Sequence, residues 1–163
     1  MGGLFEALAG EVPSLESLAR ACLRLAVSAI LGAIIGIQRE RTRKSAGLRT
    51  HMLVAMGATL FVLVPVEMGM AVPEITRVIQ GIATGIGFIG GGAILKLTTE
   101  REVRGLTTAA GIWMTAASGV AVGLGYPAIA TVAMLMAWVI LSVIGRVEAR
   151  VEEGSADPGE REG

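Results

Sequence analysis

Five apolar stretches constrain this chain more than any other feature: Leu18 to Ile37, His51 to Met70, Arg77 to Leu97, Leu106 to Gly123 and Tyr126 to Gly145. Each is close to the roughly 20 residues a helix needs to cross the hydrocarbon core of a bilayer. No Asp or Glu lies in the middle of any of them. With 53% hydrophobic and only 17% charged residues over 163 positions, the chain is too apolar for an ordinary soluble domain. Its mean hydropathy of +0.67 points the same way. The expected fold is therefore all-α, a polytopic membrane bundle of five transmembrane helices in a lipid bilayer. The third and fourth stretches are rich in Gly and Ala, a composition that suits packing against other helices better than facing lipid.

The cations set the expected orientation. Of the 14 Lys and Arg residues, eleven fall in the loop after the first span, the loop after the third, or the tail. Cationic loops stay on the cytoplasmic side, so the amino end is expected outside and the carboxyl end inside. Residues 1–17 then form an extracytoplasmic segment, 18–145 the membrane domain, and 146–163 a cytoplasmic tail that begins as a helical extension and ends in disorder. The amino end has no basic start of the kind a cleavable signal carries, so the first apolar run is expected to stay as a membrane helix. Positive and negative residues balance, which gives no reason to expect a nucleic-acid partner. The single cysteine, Cys22, has no partner for an intrachain disulfide.

Gly85, Gly87 and Gly90 match the GxGxxG spacing of dinucleotide-binding loops. That motif requires a strand before it and a polar-faced helix after it, and here it lies within an apolar span. Two other readings stay open. Gly81 and Gly85, Gly87 and Gly91, and Gly85 and Gly92 recur at helical spacing, which would line a face for close helix packing. Alternatively, Gly90, Gly91 and Gly92 break the helix near its inner end, as in the broken helices of transporters.

The two basic connections align with each other at a constant offset of about 58 positions, bringing Gly32 onto Gly90, Gly47-Leu48 onto Gly105-Leu106, and Thr50 onto Thr108. If this is a repeat, spans one and two recur as spans three and four in the same orientation. Thr50, Thr107 and Thr108 would then cap two helix starts. The two starts, with Arg49 beside them, would also make an anion-favouring pocket. Glu40 would neutralise Arg49 or Arg43. His51 lies at the interface as polar packing, and the basic loop could meet anionic headgroups. Arg24, the one charge within a span, is expected to snorkel outward, with Glu67 or Glu74 as alternative partners. Gln80 is read as interhelical glue.

Magnesium is held mainly through acidic oxygens, and none lies mid-span, so the residues do not support a transport path through this chain alone. No phosphate-cradling GxxxxGK[ST] or HExxH occurs, and one His and one Cys leave little room for zinc chemistry. No cofactor and no enzymatic activity are implied.

Three ordered motifs, "GAIIGIQRERTRKSAGLRTHMLVAMGA", "TRVIQGIATGIGFIGGGAIL" and "VRGLTTAAGIWMTAASGVAVGLG", resemble the MgtC/SapB family of bacterial inner-membrane proteins over about residues 18–145. The family's motif residues fall here on Gly36, Arg39, Glu40, Ala46, Gly47, Leu48, Arg49, Thr50, Arg77, Gly85, Gly87, Phe88, Gly90, Gly92, Gly105, Leu106, Thr108, Ala109, Ala110 and Trp113. The resemblance implies a role in magnesium homeostasis, regulatory in kind, with a membrane ATPase or the membrane sector of the ATP synthase as a partner. Members linked to virulence carry a soluble domain after the last span, and some have Asn and Cys where Thr107 and Met114 stand. Both differences set this chain nearer the short SapB-like branch.

The leading expectation is thus a homo-oligomeric inner-membrane regulator that binds a membrane partner through a cytoplasmic surface of Arg39, Glu40, Arg49, Thr50, Thr107 and Thr108. The alternative is a transporter or channel for Mg2+ or another small ion, centred on Gly90 to Gly92. A wet cavity at that depth would favour the alternative; a continuous helix sealed by Trp113 and Met114 would oppose it.

Overall fold

The structure is a computed structural model that describes residues 14–96 and 103–145. The expectations for residues 1–13, for the tail 146–163 and for Leu97 lie outside these described residues. Five helices stand where five spans were expected: α1 (Leu15–Arg41), α2 (Leu48–Glu67), α3 (Val72–Gly92), α4 (Leu106–Gly123) and α5 (Pro127–Val139), the last continuing as a π-helical turn over Ile140–Ile144. A two-residue antiparallel ladder, β1 (Leu95–Lys96) with β2 (Val103–Arg104), joins α3 to α4.

Local chemistry explains the boundaries. Ser14 caps α1, its hydroxyl accepting the Ser17 amide at 3.1 Å, and Arg39 and Arg41 in the last turn complement the helix dipole. Pro73 in the first turn and the Glu74 carboxylate, which accepts the Ala71 amide at 3.0 Å, start α3 five residues before the expected Arg77. Gly69 and Gly125, at φ of 69° and 92°, provide the left-handed turns after α2 and α4.

Among the described residues, four helices are both long and apolar enough to cross a membrane: α1, α2, α4 and α5 with its π turn. With 21 residues α3 has the length, but Arg77, Gln80 and six glycines dilute its apolar character. Half of α4 is buried in the bundle, against 17% of the α5 span, so α4 is the central helix. One apolar cluster joins it to α1 and α5 through Leu31, Ile35, Val122, Ala130 and Met134. A second, containing Ala58, Ile86, Ile112 and Ala116, joins it to α2 and α3.

Close approach of helices rests on glycines other than those expected. A Cβ on Gly32 of α1 would stand 2.6 Å from the His51 carbonyl, and one on Gly36 2.7 Å from the Leu48 Cα. On α4, Gly119 lies against the Ala55 backbone, and a Cβ on Gly123 would reach 2.8 Å from the Thr59 carbonyl. Here α2 is clasped between α1 and α4. By contrast Gly81, Gly85, Gly87, Gly91 and Gly92 of α3 have no neighbour within 4 Å of an added Cβ, and only Gly90 packs, 3.5 Å from the Ala109 Cβ. Within this chain they are thus not a packing surface, because α3 is peripheral and turns that face outward. Nor is α3 broken: it is helical through Gly92, and the turn comes at Ala93.

At an offset of 58 positions two helix starts and one helix crossing correspond. Leu48 opens α2 and Leu106 opens α4, while Leu15 of α1 projects onto Pro73 in the first turn of α3. The Gly32–His51 crossing projects onto the Gly90–Ala109 crossing, with a looser fit at the second.

Candidate functional site

Polar side chains gather at the end of the bundle where α1 finishes and α2 and α4 begin. Arg39, in the last turn of α1, is only 3% exposed. Its Nη2 donates to the Thr108 hydroxyl at 2.6 Å, and its Nε has no protein acceptor. One turn into α2, His51 is fully buried, with its Nδ1 2.8 Å from the Thr115 hydroxyl. The Thr115 hydroxyl also lies 2.9 Å from the Gly111 carbonyl, so it links the histidine of α2 to the backbone of α4.

Glu40, exposed on the next position of α1, does not pair with Arg49 or Arg43. Its Oε2 accepts the Leu48 amide at 2.7 Å. The N-cap residue Gly47 has no side chain to do this, and a Cβ there would lie 2.6 Å from that carboxylate oxygen. Glycine at 47 and glutamate at 40 thus form one cap across the loop.

The structure brings some of the expected surface together and separates the rest. Arg39 and Thr108 are bonded, and Thr107 lines the same recess as Arg39. Arg49 is exposed and Thr50 half-buried on the first turn of α2, around Glu40's cap. The threonines do not cap: among the described residues no threonine side chain bonds a backbone amide at the start of α2 or α4, α2 is capped by Glu40, and Thr108 instead serves Arg39. The cation beside the start of α4 is Arg39 rather than Arg49. His51 is an interior residue, not an interfacial one.

Arg24, half-buried in α1, reaches the end of the bundle where α4 finishes. Its Nη1 donates to the Gly123 carbonyl at 3.1 Å, a cation on the C-terminal end of α4. Glu67 lies 3.8 Å from Arg20, and Glu74 caps its own helix. Gln80 is exposed and does not lie between helices.

Sequence reasoning missed Thr115, Gln38 and Ser142. Gln38 donates to the Leu141 carbonyl at 3.2 Å, in the π turn that ends α5. The signal for Thr115 was present: Thr108, Gly111, Thr115, Gly119 and Val122 recur every three or four residues and make the buried face of α4.

Two cavities flank the bundle. An apolar groove of about 660 Å³ runs between α2 and α3, past Gly57, Phe61, Gly81, Gly85 and Ile89. A polar recess of about 860 Å³ opens between the end of α1 and the π turn of α5, with Gln38, Arg39, Arg41, Lys44, Thr107 and Ser142 in its wall. At the depth of Gly90 the helix is continuous, but Trp113 does not seal it: Trp113 is 52% exposed, and Met114 packs toward α1 and α5. Among the described residues no three of His, Cys, Asp and Glu converge as a metal site.

Comparison with known proteins gives the family. SrpB of Synechococcus elongatus is 44% identical over 63% of this chain and 62% of its own length. YhiD of Escherichia coli K12, whose name carries a provisional assignment as a magnesium transporter, is 35% identical over 79% of this chain and 62% of its own. MgtC of Salmonella typhimurium LT2 is 43% identical over 63% of this chain and 43% of its own. The chain thus spans less than two thirds of the length of these relatives. No solved structure matches it. The profile of the MgtC family matches residues 25–150, and together with the apolar helices this makes the chain a multi-pass bacterial inner-membrane protein that belongs to the MgtC family.

Proposed function

We propose that this chain is a non-enzymatic regulator in magnesium or other ion homeostasis, which works by binding copies of itself and a membrane partner, with its amino end outside and its carboxyl end in the cytoplasm. The open flank of α3 is the observation that carries this reading. Gly81, Gly85, Gly87 and Gly91 leave that flank without neighbours within 4 Å, beside an apolar groove. Small residues on a membrane helix let a second backbone come close, where dispersion and weak hydrogen bonds drive association. The described carboxylates also support regulation over transport: Glu16, Glu40, Glu67 and Glu74 all sit near helix ends, engaged with Arg20 or with backbone amides. The exposed Glu40, Arg49 and Thr107 with the half-buried Thr50, standing over the buried Arg39–Thr108 pair, are the cytoplasmic face offered to a partner such as a membrane ATPase subunit.

Crosslinking tests self-association. In a Cys22→Ser background in native membranes, Gly85→Cys should give an oxidised dimer, while Ile30→Cys, exposed on α1, should not. Equal crosslinking at both positions would remove the specific role given to α3.

The naming of YhiD favours a second reading, transport of Mg2+ or another small ion. Flux through purified protein in liposomes loaded with a Mg2+ indicator separates the two. Transport abolished by Glu40→Gln or Gly91→Leu without loss of folding would replace regulation as the conclusion.

A further inference from the structure

Beyond any partner or ion, we propose that the recess between the end of α1 and the π turn of α5 is a binding site for a phosphate oxyanion. Among the described residues its wall holds three cations, Arg39, Arg41 and Lys44, and no carboxylate. Among the described residues the only ion pairs are those of Arg20 with Glu16 and Glu67, so Arg39 has no acidic counterpart there. A guanidinium 3% exposed at the edge of a membrane bundle is costly to hold without a counter-charge. Thr108 satisfies one of its nitrogens, while Nε is buried with a proton to donate and no acceptor. On the opposite wall the Ser142 hydroxyl, in a residue 6% exposed, is also without a partner. Two residues that each bury an unfulfilled donor thus stand, from different helices, in the wall of one cavity beside Arg41 and Lys44.

The backbone around Ser142 is itself unusual. A π-helical turn runs over Ile140–Ile144, and Gln38 from α1 holds its Leu141 carbonyl. Such turns recur at functional sites because they reorient side chains within a helix. Phosphate suits this donor set: its oxygens accept charge-assisted bonds from guanidinium and ammonium together with a hydroxyl. The oxyanion belongs either to a phospholipid headgroup or to free phosphate. The exposed Trp138, Ile140 and Ile144 on the same wall give a lipid's acyl chains an apolar surface.

The test uses the full chain in a neutral detergent, with binding followed by native mass spectrometry and thermal stability. The probes are phosphatidylglycerol and inorganic phosphate, with uncharged diacylglycerol as the comparison. Saturable binding of phosphatidylglycerol, unmoved by inorganic phosphate, identifies a headgroup site; displacement by inorganic phosphate identifies a free-phosphate site. Arg41→Gln and Lys44→Gln should each weaken binding about tenfold, the loss of one charge-assisted contact. Arg43→Gln removes the same charge from the same loop but outside the recess, and should change binding less than about twofold. Ser142→Leu, which fills the cavity, should abolish it. The proposal is overturned if folded protein binds neither phosphate probe, if diacylglycerol binds equally, or if Arg43→Gln weakens binding as much as Lys44→Gln does.

Discussion

The guanidinium of Arg39 and the hydroxyl of Thr108 meet at 2.6 Å in the protein interior and tie the last turn of α1 to the first turn of α4. Removing the hydroxyl while keeping the shape leaves a buried charge with one acceptor fewer. Thr108→Val is therefore expected to destabilise the bundle by about 2–3 kcal/mol, the usual range for a hydrogen bond to a charged group. Thr108→Ser should recover most of that. Thermal unfolding of the purified variants in one detergent reads both, and equal stability of Val and Ser variants would deny the bond its role.

Glycine substitutions should divide sharply by helix. Gly32→Val and Gly119→Val drive a side chain into the backbone of α2, so each is expected to cost about 3 kcal/mol or to prevent assembly. Gly87→Leu and Gly91→Leu meet open space and should leave unfolding of the monomer within about 0.5 kcal/mol of the parent. Any effect of the second pair should appear in self-association, measured by crosslinking or mass photometry in nanodiscs.

Glu40 and Gly47 should behave as one unit. Glu40→Ala removes the cap on Leu48 and is expected to cost about 1 kcal/mol. Gly47→Ala pushes a methyl group onto the Glu40 carboxylate and should destabilise by a similar amount. The two losses should not add, since without the carboxylate the methyl group has room. Strict additivity in a double-mutant cycle would separate the two residues.

Arg24 is expected to matter through the carbonyl it holds. Arg24→Leu keeps an apolar side chain in the span but frees the Gly123 carbonyl, with an expected loss of about 1–2 kcal/mol. Arg24→Lys should retain part of the interaction as a cation at the helix C-terminus. If Leu equals or exceeds the parent in stability, the bond contributes nothing net.

Sequence alone determined the number, order and approximate ends of the helices and the class of the protein. These depend on properties running along one dimension: enough apolar residues in succession to cross a bilayer, and local stop signals such as Gly47, Gly69, Pro73 and Gly125. The family motifs marked Arg39, Glu40 and Thr108 for the same reason, as letters in order. What each does was decided only by the tertiary structure. Arg39 finds its acceptor 69 positions away, and His51 finds Thr115 64 positions away, distances over which a residue's own helix says nothing of its partner. Glycines look alike in every helix, yet those on α1 and α4 press against α2 while those on the peripheral α3 face outward. Whether a small residue packs depends on which neighbour stands opposite it, and helix-on-helix arrangement is set by the sum of all such contacts rather than by any one stretch of chain.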